Sequence, residues 1–235
     1  LCNTLRSAMC SRYSLTSPPD AIRAYFGTDN AIAFPPRYNI APTQPVAIVR
    51  QGLSGKGREI VLVRWGLIPS WVKDPRTFST LVNARAETLL EKPSFKAALR
   101  HKRCLVPADG FYEWTGPAGR KRPFLIRPRA GGPMAFAAIY EHWLGAEGSE
   151  LESMAIITTR ANRVVGAIHD RMPAVLGPER FETWLDVRRV DAREAAELIA
   201  PAADGLLEAI EVDPKVNNPR NEGPELQHPV RATLI

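Results

Sequence analysis

Three polar residues stand in short, turn-rich segments and have the side chains that acid–base chemistry uses. Asn83 lies in Val82-Asn83-Ala84-Arg85-Ala86-Glu87, just after an expected strand. Glu113 lies in Asp109-Gly110-Phe111-Tyr112-Glu113-Trp114, between aromatics. His169 lies in Ile168-His169-Asp170-Arg171-Met172-Pro173, between a short apolar stretch and a further strand. An amide, a carboxylate and an imidazole are each costly to bury unless hydrogen-bonded, and together they can orient a nucleophile and move its protons. Each also has a structural reading: the asparagine as a turn former, the glutamate as a half-exposed partner of an arginine, the histidine as part of a polar network. A nucleophile would come from cysteine, and there are three, Cys2, Cys10 and Cys104. Cys104 sits in an apolar run and reads as core. An odd, sparse set without a CxxC pair is a poor disulfide framework and fits a reducing compartment. The histidines at 101, 142, 169 and 228 are isolated from one another. Nothing has metal-ligand spacing, so neither a metal nor another cofactor is expected.

The elements that must position these residues are short. Ser17 followed by Pro18, Pro19 and Asp20 reads as a helix start, with Ile22, Tyr25 and Phe26 as its apolar face and Gly27 as its stop. Strands are expected over Val46–Arg50 and Ile60–Trp65, joined by the GLSGKG segment, and over Cys104–Val106, Gly110–Trp114, Phe124–Arg127, Ala135–Trp143, Met154–Thr159 and Ala174–Leu176. Helices are expected over Ser94–Lys102, Glu179–Val187 and Asp191–Ala200, the last opening with Asp191 and Glu194 at capping-box spacing. Many short strands with few helices between them predict an α+β fold: a single domain with a mainly antiparallel, barrel-like sheet and short flanking helices.

At 235 residues the chain can bury one sizeable core and does not require two. No apolar run reaches the length of a membrane span, and the first ten residues lack the apolar stretch of a secretion signal. A cytoplasmic protein acting on no membrane is therefore expected, and no long amphipathic seam argues against a monomer. Lys and Arg total 31 against 25 Asp and Glu, a net charge of +6, which suits a polyanionic partner.

Six segments occur in order: Met9-Cys10-Ser11-Arg12-Tyr13, Arg37-Tyr38-Asn39-Ile40-Ala41-Pro42, Trp65-Gly66-Leu67-Ile68-Pro69, Asn83-Ala84-Arg85-Ala86-Glu87-Thr88, Pro107-Ala108-Asp109-Gly110-Phe111-Tyr112-Glu113-Trp114 and His169-Asp170-Arg171-Met172-Pro173. Together they resemble the SRAP family, the SOS-response-associated peptidases that shield abasic sites in DNA. The resemblance implies a nucleophile at Cys10, which the family exposes as the N-terminus by removing the preceding methionine. It further implies single-stranded DNA carrying abasic sites as the partner.

The implied chemistry follows from the functional groups. An α-amine has a pKa of roughly 7.7–8.0, so part of it is neutral near physiological pH and can attack the aldehyde of a ring-opened abasic sugar. The adjacent thiol can then add to the same carbon and close a thiazolidine ring. On this reading His169 catalyses opening of the sugar ring, Glu113 holds the amine and shuttles its protons, and Asn83 orients the cysteine and the sugar. Arg12 and Arg85 would pair with flanking phosphates, Trp65 and Trp71 would stack on bases beside the gap unless they are core aromatics, and Tyr38, Asn39 and Arg171 complete the implied DNA contacts.

The sequence departs from the family pattern in two places. Ser11 follows the cysteine where the family usually has glycine, and residues 1–9 precede it. While those nine residues remain attached the Cys10 nitrogen is an amide and cannot form a Schiff base. They are read as a leader, an early start assignment or an appended segment, with the domain running over 10–235. Cys2, in LCNTLR, lacks the motif. Two other functions compete: a thiol peptidase that uses Cys10 to remove residues 1–9, and a non-catalytic module that binds single-stranded DNA.

Overall fold

Short β-branched and aromatic runs, broken by proline and glycine, build mostly short elements. The computed structural model describes residues 10–230 apart from 53, 54 and 56; the expected segment 1–9 and part of the GLSGKG connection lie outside the described residues. In chain order the elements are β1 (Tyr13–Leu15), α1 (Pro19–Phe26), β2 (Arg37–Ile40), β3 (Pro45–Gln51), β4 (Arg58–Trp65), β5 (Asn83–Arg85), α2 (Pro93–His101), β6 (Arg103–Ala108), β7 (Gly110–Thr115), β8 (Arg122–Pro128), β9 (Met134–Leu144), β10 (Glu150–Arg160), α3 (Arg163–Gly166), β11 (Arg171–Pro173), β12 (Val175–Leu176), α4 (Phe181–Leu185), α5 (Ala192–Glu197) and β13 (Leu207–Glu211). The mixed α+β class and the barrel-like sheet agree with the sequence expectation. The parallel pairings of β10 with β4 and β5 do not follow from it.

Five strands close on themselves in the order β10-β4-β3-β6-β9, because β9 and β10 also pair with each other as a long hairpin. Closure satisfies backbone groups that an open sheet would leave at its edges. Strand β10 outruns this ring at its C-terminal end. Its ladder with β9 stops at Ile156↔Ala138, after which β11 takes over that edge at Thr158↔Pro173 and Arg160↔Arg171. Along the opposite edge β4 gives way to β5, which pairs Ile156↔Asn83 and Thr158↔Arg85. The last residues of β10 thus lie between the strand that begins with Asn83 and the strand that follows His169.

A second sheet, β13-β8-β7-β1-β2, carries Glu113 on β7. The chain passes from the barrel into this sheet at Asp109, which alone separates β6 from β7. The Asp109 carboxylate accepts from the Ser17 N–H and hydroxyl, both at 2.6 Å, so the Ser17 side chain holds this corner. The expected serine cap of α1 is thereby corrected: Pro18 occupies the cap position without a side-chain bond. Gly110 follows because a Cβ there would stand 3.0 Å from the Ile126 carbonyl oxygen. At the far end of α1 the expected glycine stop holds, Gly27 having φ +63°.

One aromatic cluster joins the two sheets. Tyr13 meets Trp65 edge-on at 5.2 Å between ring centroids, Tyr13 meets Phe136 at 6.0 Å, and Phe111 meets Phe136 at 5.9 Å. A smaller apolar cluster of Tyr112, Leu125, Val212, Val216 and Leu226 fixes the C-terminal segment under the second sheet. Among the described residues no helix is long and apolar enough to cross a membrane.

Candidate active site

The Cys10 backbone nitrogen donates a 2.8 Å hydrogen bond to Glu113 Oε1. Each residue is only 2% exposed. The ladder explains the approach: β1 pairs with β7 at Tyr13↔Phe111, and the Tyr112 N–H continues the pairing to the Arg12 carbonyl, which draws Cys10 alongside Glu113. Burial raises the Glu113 carboxyl above its ordinary value, opposed by the Cys10 hydrogen bonds and by the nearby His169 and Lys121. Burial also pushes the Cys10 thiol well up, and the neighbouring Glu113 charge pushes it further the same way. At rest the sulfur is therefore a neutral thiol, and its proton has a carboxylate beside it to go to. Cys10 has φ +43°, a left-handed conformation that is costly for a non-glycine residue.

His169 follows α3, which Asn162 caps by accepting from the Val165 N–H. The His169 ring lies in the field of Glu113. Its Nδ1 accepts a 3.1 Å hydrogen bond from the Arg171 backbone N–H, which leaves the proton of the neutral ring on Nε2. Asp170 Oδ1 is also 3.1 Å from Nδ1, an ion pair available only to the protonated ring. Asn83 opens β5 rather than following a strand.

The residues the family resemblance assigned to DNA divide into exposed and internal groups. Arg85 is exposed on β5 and Trp71 is 59% exposed, packed edge-on against Phe78. Trp65, by contrast, is wholly buried in the barrel with its Nε1–H donated to the Val82 carbonyl, and offers no face to a base. Asn39 is equally buried; its Nδ2 donates to the carbonyls of Val216, Asn218 and Asn221. Arg12 donates to Asn39 Oδ1 at 2.8 Å and to the Val216 carbonyl at 3.0 Å, and lies over the Trp114 ring. Tyr38 gives its N–H to Glu222 and takes the Tyr112 hydroxyl at its carbonyl. Arg12, Tyr38 and Asn39 thus clamp the C-terminal segment to the second sheet. Arg171 is 8% exposed, and its guanidinium is forked onto Glu87 at 2.6 and 2.9 Å and also donates to the Thr158 carbonyl at 2.6 Å. Its charge nevertheless reaches Cys10, opposing the rise of the thiol.

Glu87 and Thr158 were not foreseen as neighbours of the site. No spacing in the sequence marks them, because they meet Arg171 only through the pairing of β5 and β11 with β10. Among the described residues no cluster of His, Cys, Asp and Glu could hold a metal ion.

Residues 9–219 match the family model described as SOS response associated peptidase (SRAP). The chain belongs to the SRAP family. It is 40% identical over 222 residues to the abasic site processing protein YoqW of Bacillus subtilis (strain 168), covering 93% of this chain and 98% of that one. It is 34% identical to the abasic site processing protein HMCES of Rattus norvegicus, covering 94% of this chain and 76% of that one. Among solved structures, a protein from Bacteroides thetaiotaomicron superposes with a TM-score of 0.79 at 28% identity, over 92% of this chain and 98% of that one. In this SRAP chain the family's motifs supply the direct Cys10–Glu113 contact and a His169 whose Nδ1 accepts from a backbone N–H.

Proposed function

We propose that this protein captures abasic sites in single-stranded DNA covalently through Cys10, once Cys10 is the N-terminal residue. The observation that carries the reading is the hydrogen bond from the Cys10 nitrogen, not merely its sulfur, to the buried Glu113 carboxylate. Glu113 also stands beside the Cys10 thiol, as a thiol protease would use it; its additional hydrogen bond at the main-chain nitrogen suits chemistry in which that nitrogen is itself a nucleophile. The names of the relatives support abasic sites as the target.

The steps balance without an external reagent. His169 assists opening of the deoxyribose hemiacetal to the aldehyde by proton transfer. The neutral Cys10 amine adds to the aldehyde carbon; its two N–H protons pass in turn, by way of Glu113, to the former aldehyde oxygen, which leaves as water, and a C=N bond remains. The thiol then adds across that bond, sulfur to carbon and the thiol proton to nitrogen by way of Glu113, giving a thiazolidine. A carboxyl held above its ordinary value is a stronger base than an exposed glutamate. Arg85 and Trp71 are the exposed candidates for a flanking phosphate and a flanking base.

A second reading, removal of residues 1–9 by the Cys10 thiol, is favoured by the left-handed backbone of Cys10, whose strain cleavage of the Met9–Cys10 bond would relieve. The two are compatible, the second preparing the amine for the first. The deciding experiment mixes single-stranded DNA carrying one abasic site with the full chain and with a chain beginning at Cys10, followed by a denaturing gel. A denaturant-resistant band from the Cys10-terminal chain supports capture. No band from either chain removes it and leaves the peptidase reading, which intact mass of the purified full chain then tests.

A further inference from the structure

We propose that Glu87 is a positioning residue for His169, acting through Arg171 to hold the imidazole in the tautomer that carries its proton on Nε2. The inference rests on the reading above that His169 moves protons at the Cys10 site. It adds a residue from a different segment, the short 3-10 turn Ala86–Thr88 that follows β5.

His169 Nδ1 has two neighbours that ask opposite things of it. The Arg171 backbone N–H, 3.1 Å away, requires Nδ1 to be an acceptor. The Asp170 carboxylate, also at 3.1 Å, can accept from Nδ1 only if Nδ1 carries a proton. Which of them prevails decides whether a neutral ring offers Nε2 as a donor or as a base. Asp170 is 86% exposed at its side chain and can turn to water, whereas Arg171 is fixed. Its backbone is laddered to β10 at Arg160, and its guanidinium is forked onto both oxygens of Glu87 and onto the Thr158 carbonyl.

Glu87 is the one carboxylate bonded to this guanidinium among the described residues, although its own side chain is 49% exposed. An ordinary surface pair would contribute little, but a bidentate fork onto a buried arginine is strong and geometrically exacting. Without it a buried cation lacks its counter-charge, and β11, only three residues long, loses the anchor that supplements its ladder. Glu113 on β7 also interacts electrostatically with the ring. Release of Arg171 therefore hands Nδ1 to Asp170 and reverses the ring.

The test is the side-chain ¹⁵N spectrum of His169 in the full chain above neutral pH, assigned with His169→Gln. Unaltered protein is expected to give a protonated Nε2 and an unprotonated Nδ1. Glu87→Ala is expected to move both signals toward the opposite tautomer. In a chain beginning at Cys10 the same change is expected to slow crosslinking to abasic single-stranded DNA about 10- to 100-fold at saturating DNA, with little change in half-saturating concentration. Glu87→Gln, which removes the charge but keeps the shape, carries the test if Glu87→Ala does not fold. An unaltered His169 spectrum in the folded variant overturns the proposal. If the unaltered chain beginning at Cys10 forms no crosslink, the functional reading fails, while the ring spectrum still decides the role of Glu87.

Discussion

Glu113 accepts a hydrogen bond from the backbone nitrogen of a residue 103 positions earlier, Cys10, with both groups sealed from solvent. A carboxylate in that position can serve as a base for a free amine, and its burial has a thermodynamic signature of its own. Because the folded-state carboxyl is raised above its ordinary value of 4.5, the native state holds the proton more tightly than the unfolded chain does. Stability from this group is present below the ordinary carboxylate value and is lost as pH rises through the folded value. Thermal unfolding of the unaltered protein should therefore fall with rising pH across that window relative to Glu113→Gln. Parallel curves for the two proteins would show that the carboxyl is not raised. Glu113→Gln should also slow crosslinking by about 10²-fold or more.

Removing the sulfur should separate the two bonds of the proposed adduct. In a chain beginning at Cys10, Cys10→Ser retains the amine and so should still form a Schiff base that borohydride traps. Without reduction its adduct should not survive denaturation, because no thiazolidine can close. A stable unreduced band from Cys10→Ser would show that the thiol is not part of the linkage.

The two tryptophans assigned together to DNA should behave oppositely. Trp65→Ala opens a cavity in the barrel and should cost about 3–5 kcal/mol of stability. Trp71→Ala removes an exposed ring and should leave the melting temperature nearly unchanged while weakening binding to single-stranded DNA by about 1–3 kcal/mol. Calorimetry and a fluorescence titration on each variant read the two quantities independently. An unchanged affinity in Trp71→Ala would remove that residue from the interface.

Arg12 and Arg85 divide in the same way. Arg85→Ala should reduce the salt dependence of DNA binding by about one phosphate contact without loss of stability. Arg12→Ala deprives Asn39 and the Val216 carbonyl of a charged donor, so it should cost about 1–3 kcal/mol and expose the segment 213–222 to proteolysis. A changed salt slope with unaltered stability in Arg12→Ala would return that residue to the DNA surface.

The strands that run apolar for five residues or more, such as Ala135–Trp143 within β9, are legible because burial on both faces leaves only one composition. β1 reads Tyr-Ser-Leu and β5 reads Asn-Ala-Arg, three residues each, and exist only because β7 and β10 supply their hydrogen bonds. That is tertiary information, absent from any local window. The same holds within the site. Cys10, Glu113 and His169 could be nominated by residue type and motif, whereas the internal engagement of Arg12, Asn39 and Trp65 depends on which carbonyls and rings the fold brings to them. Glu87 was visible only as a letter in the segment that holds Asn83, since the arginine it grips lies 84 positions away.

The extension of β10 beyond the barrel has a consequence for biosynthesis. Cys10 leaves the ribosome before the other site residues; its base is more than a hundred residues behind it, and the imidazole with its Arg171 donor comes later still. The segment bearing that imidazole docks only once β11 has found the end of β10. Under the proposed chemistry, the earliest translated residue of the site is the last to become reactive, and an incomplete nascent chain carries a cysteine with no means of activating it.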